Sequence, residues 1–255
     1  MIDNQQLITF VLILARVTAF VGFFPLFSQR QVPRLVKAGL ALSLTLFWFG
    51  TLPQDQFVDV QMNIVNSVLY LGKEVGIGFL LALLLGFMFV PAKIAGAYVG
   101  QEIGLSLASV TSPGSADSST LITTFLESIA ILLFFGMNLH HFMVVFVHHS
   151  LIHIGAKVSL TDLPTELLIQ FAGSLTEQGN LVVGPVGICL FILTIGLALL
   201  NKAAPTLNLF SVGMTLRGAI GFICLIVFCP VIIKSMTMYF QLHQQQLENF
   251  LLFFD

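Results

Sequence analysis

The sequence predicts an all-α integral membrane protein, and three observations lead to this fold class. Of the 255 residues, 57% are hydrophobic and 9% are charged, whereas a soluble domain carries about 25% charged residues. Mean hydropathy is +0.99. Apolar runs such as 79–90 and 181–200 are unbroken, unlike the alternating segments of about ten residues in a membrane β-barrel. The surface is therefore expected to face lipid or other apolar protein.

Six apolar helical segments are expected, because crossing a bilayer takes about 20 mainly apolar residues. They are 7–27, 35–52, 64–90, 121–154, 181–200 and 207–233. The first is not expected to be a cleavable signal, since Arg16 interrupts it and no base precedes it.

The connections between these segments differ in composition. The first is basic, the second acidic, the third rich in glycine, the fourth acidic and the fifth short, and a Gln-rich amphipathic tail ends the chain. Their bounds are 28–34, 53–63, 91–120, 155–180, 201–206 and, for the tail, 236–255.

Charged residues within apolar segments are costly and are functional candidates for that reason. The set is Arg16, Lys73, Glu74, Glu102, Glu127 and Arg217. Two interpretations stay open: proton or ion coupling, and pairing between helices or subunits. Lys73 and Glu74 are about 100° apart on a helix, so they are expected to face different partners.

No site for a metal, a cofactor, nucleic acid or catalysis is predicted. His149 and His153 have the i, i+4 spacing of a metal site, within a cluster that also holds three other histidines. No nearby Cys or acidic residue completes a ligand set, so rings near a helix end are the favoured interpretation. The cluster comprises His140, His141, His148, His149 and His153. The net charge of −2 gives no basic surface for nucleic acid, and the three cysteines lie in apolar stretches as small hydrophobes.

The glycine-rich stretch 96–119 is unusual because it is half apolar. Glycines let helices approach closely or let the backbone turn sharply. A solvated loop would not need Ile103, Leu105, Leu107 and Val110. A re-entrant packing element and a flexible plug that lines a pore are both compatible with this composition.

Four runs of residues share the motifs of one family. Residues 15–46 carry an Arg, then a Pro, then a Pro-Arg-Lys/Arg-Gly pattern, and residues 100–113 carry a Gly-Leu-Ser-x-Ala element. Leu139-His140-His141 lies where the family has a Gly-His element before a helix. Residues 204–222 hold the most specific pattern, Pro-x-x-Asn-x-Phe-x-x-Gly, formed by Pro205, Asn208, Phe210 and Gly213. Together these runs resemble the FliR family of flagellar export-gate proteins and its virulence-secretion counterparts.

Three positions depart from the family pattern. Ser112 replaces the usual Asp before Pro113, Thr206 stands where Gln is common, and Thr215 stands where Pro is common. These departures concern individual contacts and leave the resemblance along the chain intact.

The resemblance implies a non-enzymatic core component of a type III protein export gate, without cofactors, in the bacterial inner membrane within the flagellar basal body. One copy would join five FliP-like and four FliQ-like subunits in a helical hetero-oligomer built largely from hairpins, with an FlhB-like subunit at the cytoplasmic entrance. Residues 1–154 would form a FliP-like packing region, and 155–255 a helical hairpin and tail, within one export-gate membrane domain.

The resemblance also implies that the central loop plugs the pore until unfolded substrates pass. The plug residues would be Ile103, Gly104, Leu105, Ser106, Leu107, Ala108, Ser109, Val110, Thr111, Ser112, Pro113 and Gly114. Pro205, Asn208, Phe210 and Gly213 would pack against other subunits.

Alternative functions are the equivalent subunit of a virulence secretion system, a small-solute transporter and an intramembrane enzyme. A transporter favours two pseudo-symmetric halves, and no internal repeat is visible. An intramembrane enzyme would need ligands or a nucleophile motif beyond His149 and His153, and the sequence shows neither.

Overall fold

The computed structural model describes residues 4–28, 32–51, 64–105, 120–154, 165–203 and 209–252. Every regular element among them is helical, which confirms the all-α prediction. The α-helices are α1 (Asn4–Phe23), α2 (Pro25–Ser28), α3 (Arg34–Thr51), α4 (Ile64–Gly86), α5 (Val90–Ile103), α6 (Leu121–Gly136), α7 (Leu139–His153), α8 (Thr165–Ala203) and α9 (Leu209–Leu252). A short 3₁₀ helix, Phe87–Phe89, joins α4 to α5.

Four stretches of the described chain are long and apolar enough to cross a membrane. They are Gln6–Phe23, Ser67–Ile103, Ile169–Ala203 and Gly213–Leu251. The pair α6 and α7 forms a fifth candidate, bent by 73°. Length and composition therefore support an integral membrane protein with about the expected number of apolar segments.

The structure corrects several predicted boundaries. Segment 121–154 is two helices rather than one, because α6 ends at Gly136 and Asn138 adopts a left-handed conformation with φ 57°. Connection 91–120 is helical as far as Ile103. Pro91 does not interrupt this helix, because it lies in the first turn, where the backbone N–H has no helical partner to lose. Helix α8 begins at Thr165, inside the predicted acidic connection, and α9 continues into the predicted tail as far as Leu252.

The chain divides into two compact units. The amino-terminal unit combines Met1–Met88, Met137–Phe171 and His243–Asp255, and the central unit combines Phe89–Gly136 and Ala172–Leu242. The division of the sequence at residue 154 into two packing regions stays a prediction.

Helix α1 packs against α3 and α4 in the amino-terminal unit. Helix α3 turns one stripe inward, formed by Ala41, Thr45 and Trp48 at i, i+4 and i+7. A Cβ at Gly78 of α4 would clash with the Arg16 carbonyl oxygen. The absence of a side chain there lets α1 and α4 approach closely, which positions the charged residues described below.

Candidate functional site

Helix α5 of the central unit leads into the predicted plug and is held by its neighbours along much of its length. Its buried residues are Pro91, Ala92, Ala95, Gly96, Val99, Gly100 and Ile103. Small residues dominate this set, so neighbouring backbones can approach closely.

Glycines of α5 form the contact with α6. A Cβ at Gly96 would overlap the Thr123 backbone, and one at Gly100 would lie 2.5 Å from Thr120 Oγ1. The Thr120 hydroxyl accepts a hydrogen bond from the Thr123 N–H at 3.2 Å and lies 2.9 Å from Thr123 Oγ1. Thr120 is therefore the N-cap of α6, and it sits directly against α5.

The other end of the central loop is also fixed by a cap. Gly104 has φ 88° and ψ 9°; its N–H donates to the Gln101 carbonyl at 3.0 Å, and the Leu105 N–H donates to the Gly100 carbonyl at 2.9 Å. These two bonds form a Schellman motif, which requires a left-handed residue and favours glycine. The two caps that flank the central loop therefore both lie beside the contact between α5 and α6.

Helices α8 and α9 also contact α5. Tyr98 lies against Gly187, where an added Cβ would be 3.1 Å from the ring carbon Cε1. The Ile103 side chain fills the space left by Gly221 of α9, and a Cβ there would clash with it. The carboxyl end of α5 is therefore packed closely against α9.

The structure places only part of the predicted plug. Ile103 is the last residue of α5 and is 3% exposed, so it is a buried helical residue and not a loop residue as expected. Gly104 and Leu105 form the half-buried turn after it. The remaining candidates, Ser106, Leu107, Ala108, Ser109, Val110, Thr111, Ser112, Pro113 and Gly114, lie outside the described residues.

A buried ion pair links three helices of the amino-terminal unit. Arg16 of α1 is 2% exposed, and its Nε donates to Glu74 Oε2 of α4 at 2.6 Å. Its Nη1 donates to the Ser150 carbonyl at 2.5 Å, and its Nη2 donates to the Ile154 carbonyl at 2.7 Å. Ser150 lies in the last turn of α7, where its carbonyl also accepts from the Ile154 N–H at 3.1 Å, and Ile154 is the C-cap residue. The helix dipole is negative at this end. Arg16 therefore caps α7 while it neutralises Glu74.

The other charged candidates are not brought into this pair. Glu127 of α6 lies 3.6 Å from Lys93 of α5, in an ion pair whose lysine side chain is 52% exposed. Lys73, Glu102 and Arg217 are half-buried. Lys73 and Glu74 differ in burial although they are adjacent, as their angular separation on a helix predicts.

The predicted packing motif is described only in part. Pro205 and Asn208 lie outside the described residues, and Phe210 belongs to α9. Gly213 is buried against α8, where an added Cβ would lie 3.6 Å from Leu197 Cδ1. This contact is within the chain, and packing of the motif against other subunits stays a prediction.

Two features escaped the sequence reasoning. Thr120 caps α6, and the signal for it was a threonine immediately before an apolar run. His243 is 2% exposed, and its Nε2–H donates to the Leu84 carbonyl at 2.9 Å, near the transition to the 3₁₀ helix. Nothing in the local sequence connects positions 84 and 243.

Neighbouring histidine rings of α7 lie close to one another, and one pair is stacked. His149 and His153 are nearly parallel, with an interplanar angle of 8° and centroids 5.5 Å apart. His140 and His141 have centroids 4.1 Å apart. No group of three potential metal ligands occurs in the part of the chain that the structure describes.

Comparisons with known proteins extend over most of the chain. The model of the family described as bacterial export proteins, family 1, matches residues 7–243. The flagellar biosynthetic protein FliR of Bacillus subtilis (strain 168) is 28% identical over 246 residues, which cover 95% of this chain and 94% of that protein.

Other relatives come from both flagellar and translocation systems. FliR of Escherichia coli (strain K12) is 29% identical, covering 86% of this chain and 83% of that protein. The Yop proteins translocation protein T of Yersinia pestis is 25% identical, covering 89% and 87%. Because the family model matches nearly the whole length, the chain belongs to the FliR family of bacterial export proteins.

Proposed function

We propose that this chain is a core subunit of a bacterial type III protein export gate, which passes unfolded substrates across the inner membrane within the flagellar basal body. The observation that carries the proposal is the family match over residues 7–243. The names of the relatives, flagellar biosynthetic protein and Yop proteins translocation protein, support it. The role is structural rather than enzymatic.

The proposed assembly joins one copy of this chain to five FliP-like and four FliQ-like subunits, with an FlhB-like subunit at the entrance. Large apolar side chains on several helices favour extensive contacts with lipid or other subunits: Leu35 is 86% exposed, Leu132 is 72% exposed and Ile226 is 75% exposed. Such surface is unstable in water unless it is covered. The packing regions 1–154 and 155–255 belong to this proposal.

Expression with and without partners tests the assembly. Alone, the chain is expected to aggregate in mild detergent, whereas co-expression with FliP-like and FliQ-like subunits should yield one discrete complex on size exclusion. A monodisperse chain whose yield and elution are unchanged by the partners would contradict the assembly.

The central loop is proposed as the plug of the pore. The described residues on either side of it are fixed by the caps at Gly104 and Thr120, so opening of the plug would not require α5 and α6 to separate. Leu107 and Val110 would supply an apolar constriction, which can block ions by excluding water and yield when displaced.

A deletion that spares both caps tests the plug. Removing residues 107–112 while retaining Gly104 and Thr120 should leave the complex assembled but make cells permeable to small ions. A deletion of equal length at 157–162 serves as the control and should not cause a leak. The assay pairs dye-leak or single-channel conductance with secretion of a reporter substrate. Normal assembly with neither leak nor altered secretion would show that the loop is only packing material.

The equivalent role in a virulence secretion system is the second candidate, favoured by the similarity to the Yersinia translocation protein. Complementation separates the two. Restored motility in a strain lacking its own FliR supports the flagellar role, whereas restored secretion only in a translocation-deficient strain supports the other.

A further inference from the structure

Two histidine rings at the carboxyl end of α7 have no role in the proposed export function. His149 and His153 are four positions apart, with ring centroids 5.5 Å apart and an interplanar angle of 8°. His149 is exposed, and His153 is half-buried. Because residues four apart are neighbours on a helix surface, both rings project from the same face of α7.

The composition of α7 disfavours contact with lipid along this face. The helix is 15 residues long and contains five histidines. It belongs to none of the four stretches of the described chain that qualify by themselves as membrane spans. Polar side chains at membrane depth need protein or water around them. We therefore expect dissolved ions to reach the exposed ring of His149.

The electrostatic surroundings of this turn are compatible with a bound cation. Arg16 donates to the Ser150 and Ile154 carbonyls. Its guanidinium is paired with Glu74, so it does not bring an uncompensated positive charge to the turn. The helix dipole is also negative at this end. Both features reduce the repulsion that a divalent cation would meet.

We propose that His149 and His153 form a binding site for a divalent ion of the copper, nickel and zinc class. This site goes beyond the export function. Imidazole nitrogen is a preferred ligand of these ions, and two histidines at i and i+4 on one helix face bind zinc in metalloproteases. The part of the chain that the structure describes offers no third ligand. Exchangeable water fills the remaining positions, and Cu²⁺ is the ion expected to bind most tightly.

A small rotation of each ring converts the stacked pair into a chelating pair. Metal–nitrogen bonds are about 2.0–2.1 Å long, so one nitrogen of each ring must point into the space between the rings. The χ2 torsion of histidine has a broad energy profile, and both rings can therefore turn without a change in the helix. The bound ion joins the two ends of the last turn of α7, the turn that Arg16 caps.

Protection of individual histidines from diethyl pyrocarbonate tests the site. Membranes carrying the co-expressed complex are treated with this reagent, with and without micromolar Cu²⁺, and the modified positions are located by mass spectrometry. The readout is assigned to each residue, so histidines of other subunits do not obscure it. We expect His149 and His153 to be protected together. His141 is exposed on the same helix, without a histidine four positions away, and should stay reactive.

Alanine substitutions distinguish a chelate from two independent sites. In His149→Ala, protection of His153 should require at least about tenfold more Cu²⁺, since loss of even a residue that only orients a metal ligand commonly costs this much affinity. His153→Ala should have the same effect on His149, and the matched control His141→Ala should leave protection of the pair unchanged.

Three results would overturn the proposal. The first is the absence of joint protection of His149 and His153 in the parent complex below millimolar Cu²⁺. The second is equal protection of His141 at the same Cu²⁺ concentration. The third is equal protection of His153 in the parent complex and in His149→Ala. The first two are measured on the parent complex and do not depend on the folding of a variant.

Discussion

The Glu74→Gln substitution removes a carboxylate that contacts the Arg16 guanidinium inside the amino-terminal unit. The side chains are 2% and 6% exposed, and Nε lies 2.6 Å from Oε2. Removing one partner of a buried ion pair costs about 3–5 kcal/mol, because the remaining charge stays buried. For a chain of this size, that loss lowers the unfolding midpoint by about 6–20 °C.

The assay is thermal unfolding of the purified complex in detergent, followed by fluorescence and by recovery on size exclusion. Glu127→Gln is the matched control, since its partner Lys93 is 52% exposed and 3.6 Å away. An exposed pair contributes at most about 1 kcal/mol, so the control should shift the midpoint little.

A double substitution distinguishes the charge from the packing. Arg16→Met with Glu74→Leu removes both charges, and exchange of a buried pair for apolar residues is often close to neutral. The carbonyls of Ser150 and Ile154 lose the guanidinium, so only part of the stability should return. Equal midpoints for Glu74→Gln and Glu127→Gln would refute the assignment of the buried pair as a structural tie.

Three further substitutions probe the caps and contacts of the two units, each read as the unfolding midpoint of the purified complex. Gly104→Ala should destabilise by about 1–2 kcal/mol, because a Cβ disfavours the left-handed conformation. Gly221→Ala should destabilise by about 1–3 kcal/mol through its clash with Ile103. His243→Phe should destabilise by about 1–3 kcal/mol, because the buried Leu84 carbonyl loses its donor.

Each of these substitutions has a conservative control. Gly104→Asn should be tolerated better than Gly104→Ala, since Asn adopts the left-handed conformation more readily. Gly221→Ala should lower the midpoint less in an Ile103→Ala background than in the parent chain, because the smaller side chain removes the clash. His243→Gln retains a donor. An equal effect of Gly221→Ala in both backgrounds, or a Gly104→Asn or His243→Gln variant no more stable than its Gly104→Ala or His243→Phe counterpart, would contradict the corresponding contact.

Helix α5 illustrates where the sequence reasoning was incomplete. The sequence predicts a connection at Gly96 and Gly100, because glycine favours turns and weakens an isolated helix. In the fold they lie inside a helix, where the missing side chains admit Thr123 and Thr120 of α6. Local propensity could not reveal this, since the partner residues lie twenty or more positions away along the chain. The structure also predicts the effect of Gly104→Pro. Proline cannot adopt φ 88° or donate the N–H of the cap, so this variant should disrupt the end of α5.

For the charged residues too, the sequence identified the candidates but not their partners. Hydropathy alone marked Arg16 and Glu74 as costly intramembrane charges, but their pairing joins positions 58 residues apart. That pairing depends on the close approach of α1 and α4 at Gly78 and on the position of the last turn of α7.

By itself, the sequence determined the membrane environment, the all-helical fold class and the resemblance to an export family, because hydropathy and motif spacing are read along the chain. Only the tertiary structure decided which charges meet, which glycines are contact points and which ends of the central loop are capped. These features depend on packing between segments that are distant in the sequence. A glycine becomes a contact point, and a carbonyl at a helix end gains a donor, only when folding brings a particular residue next to it.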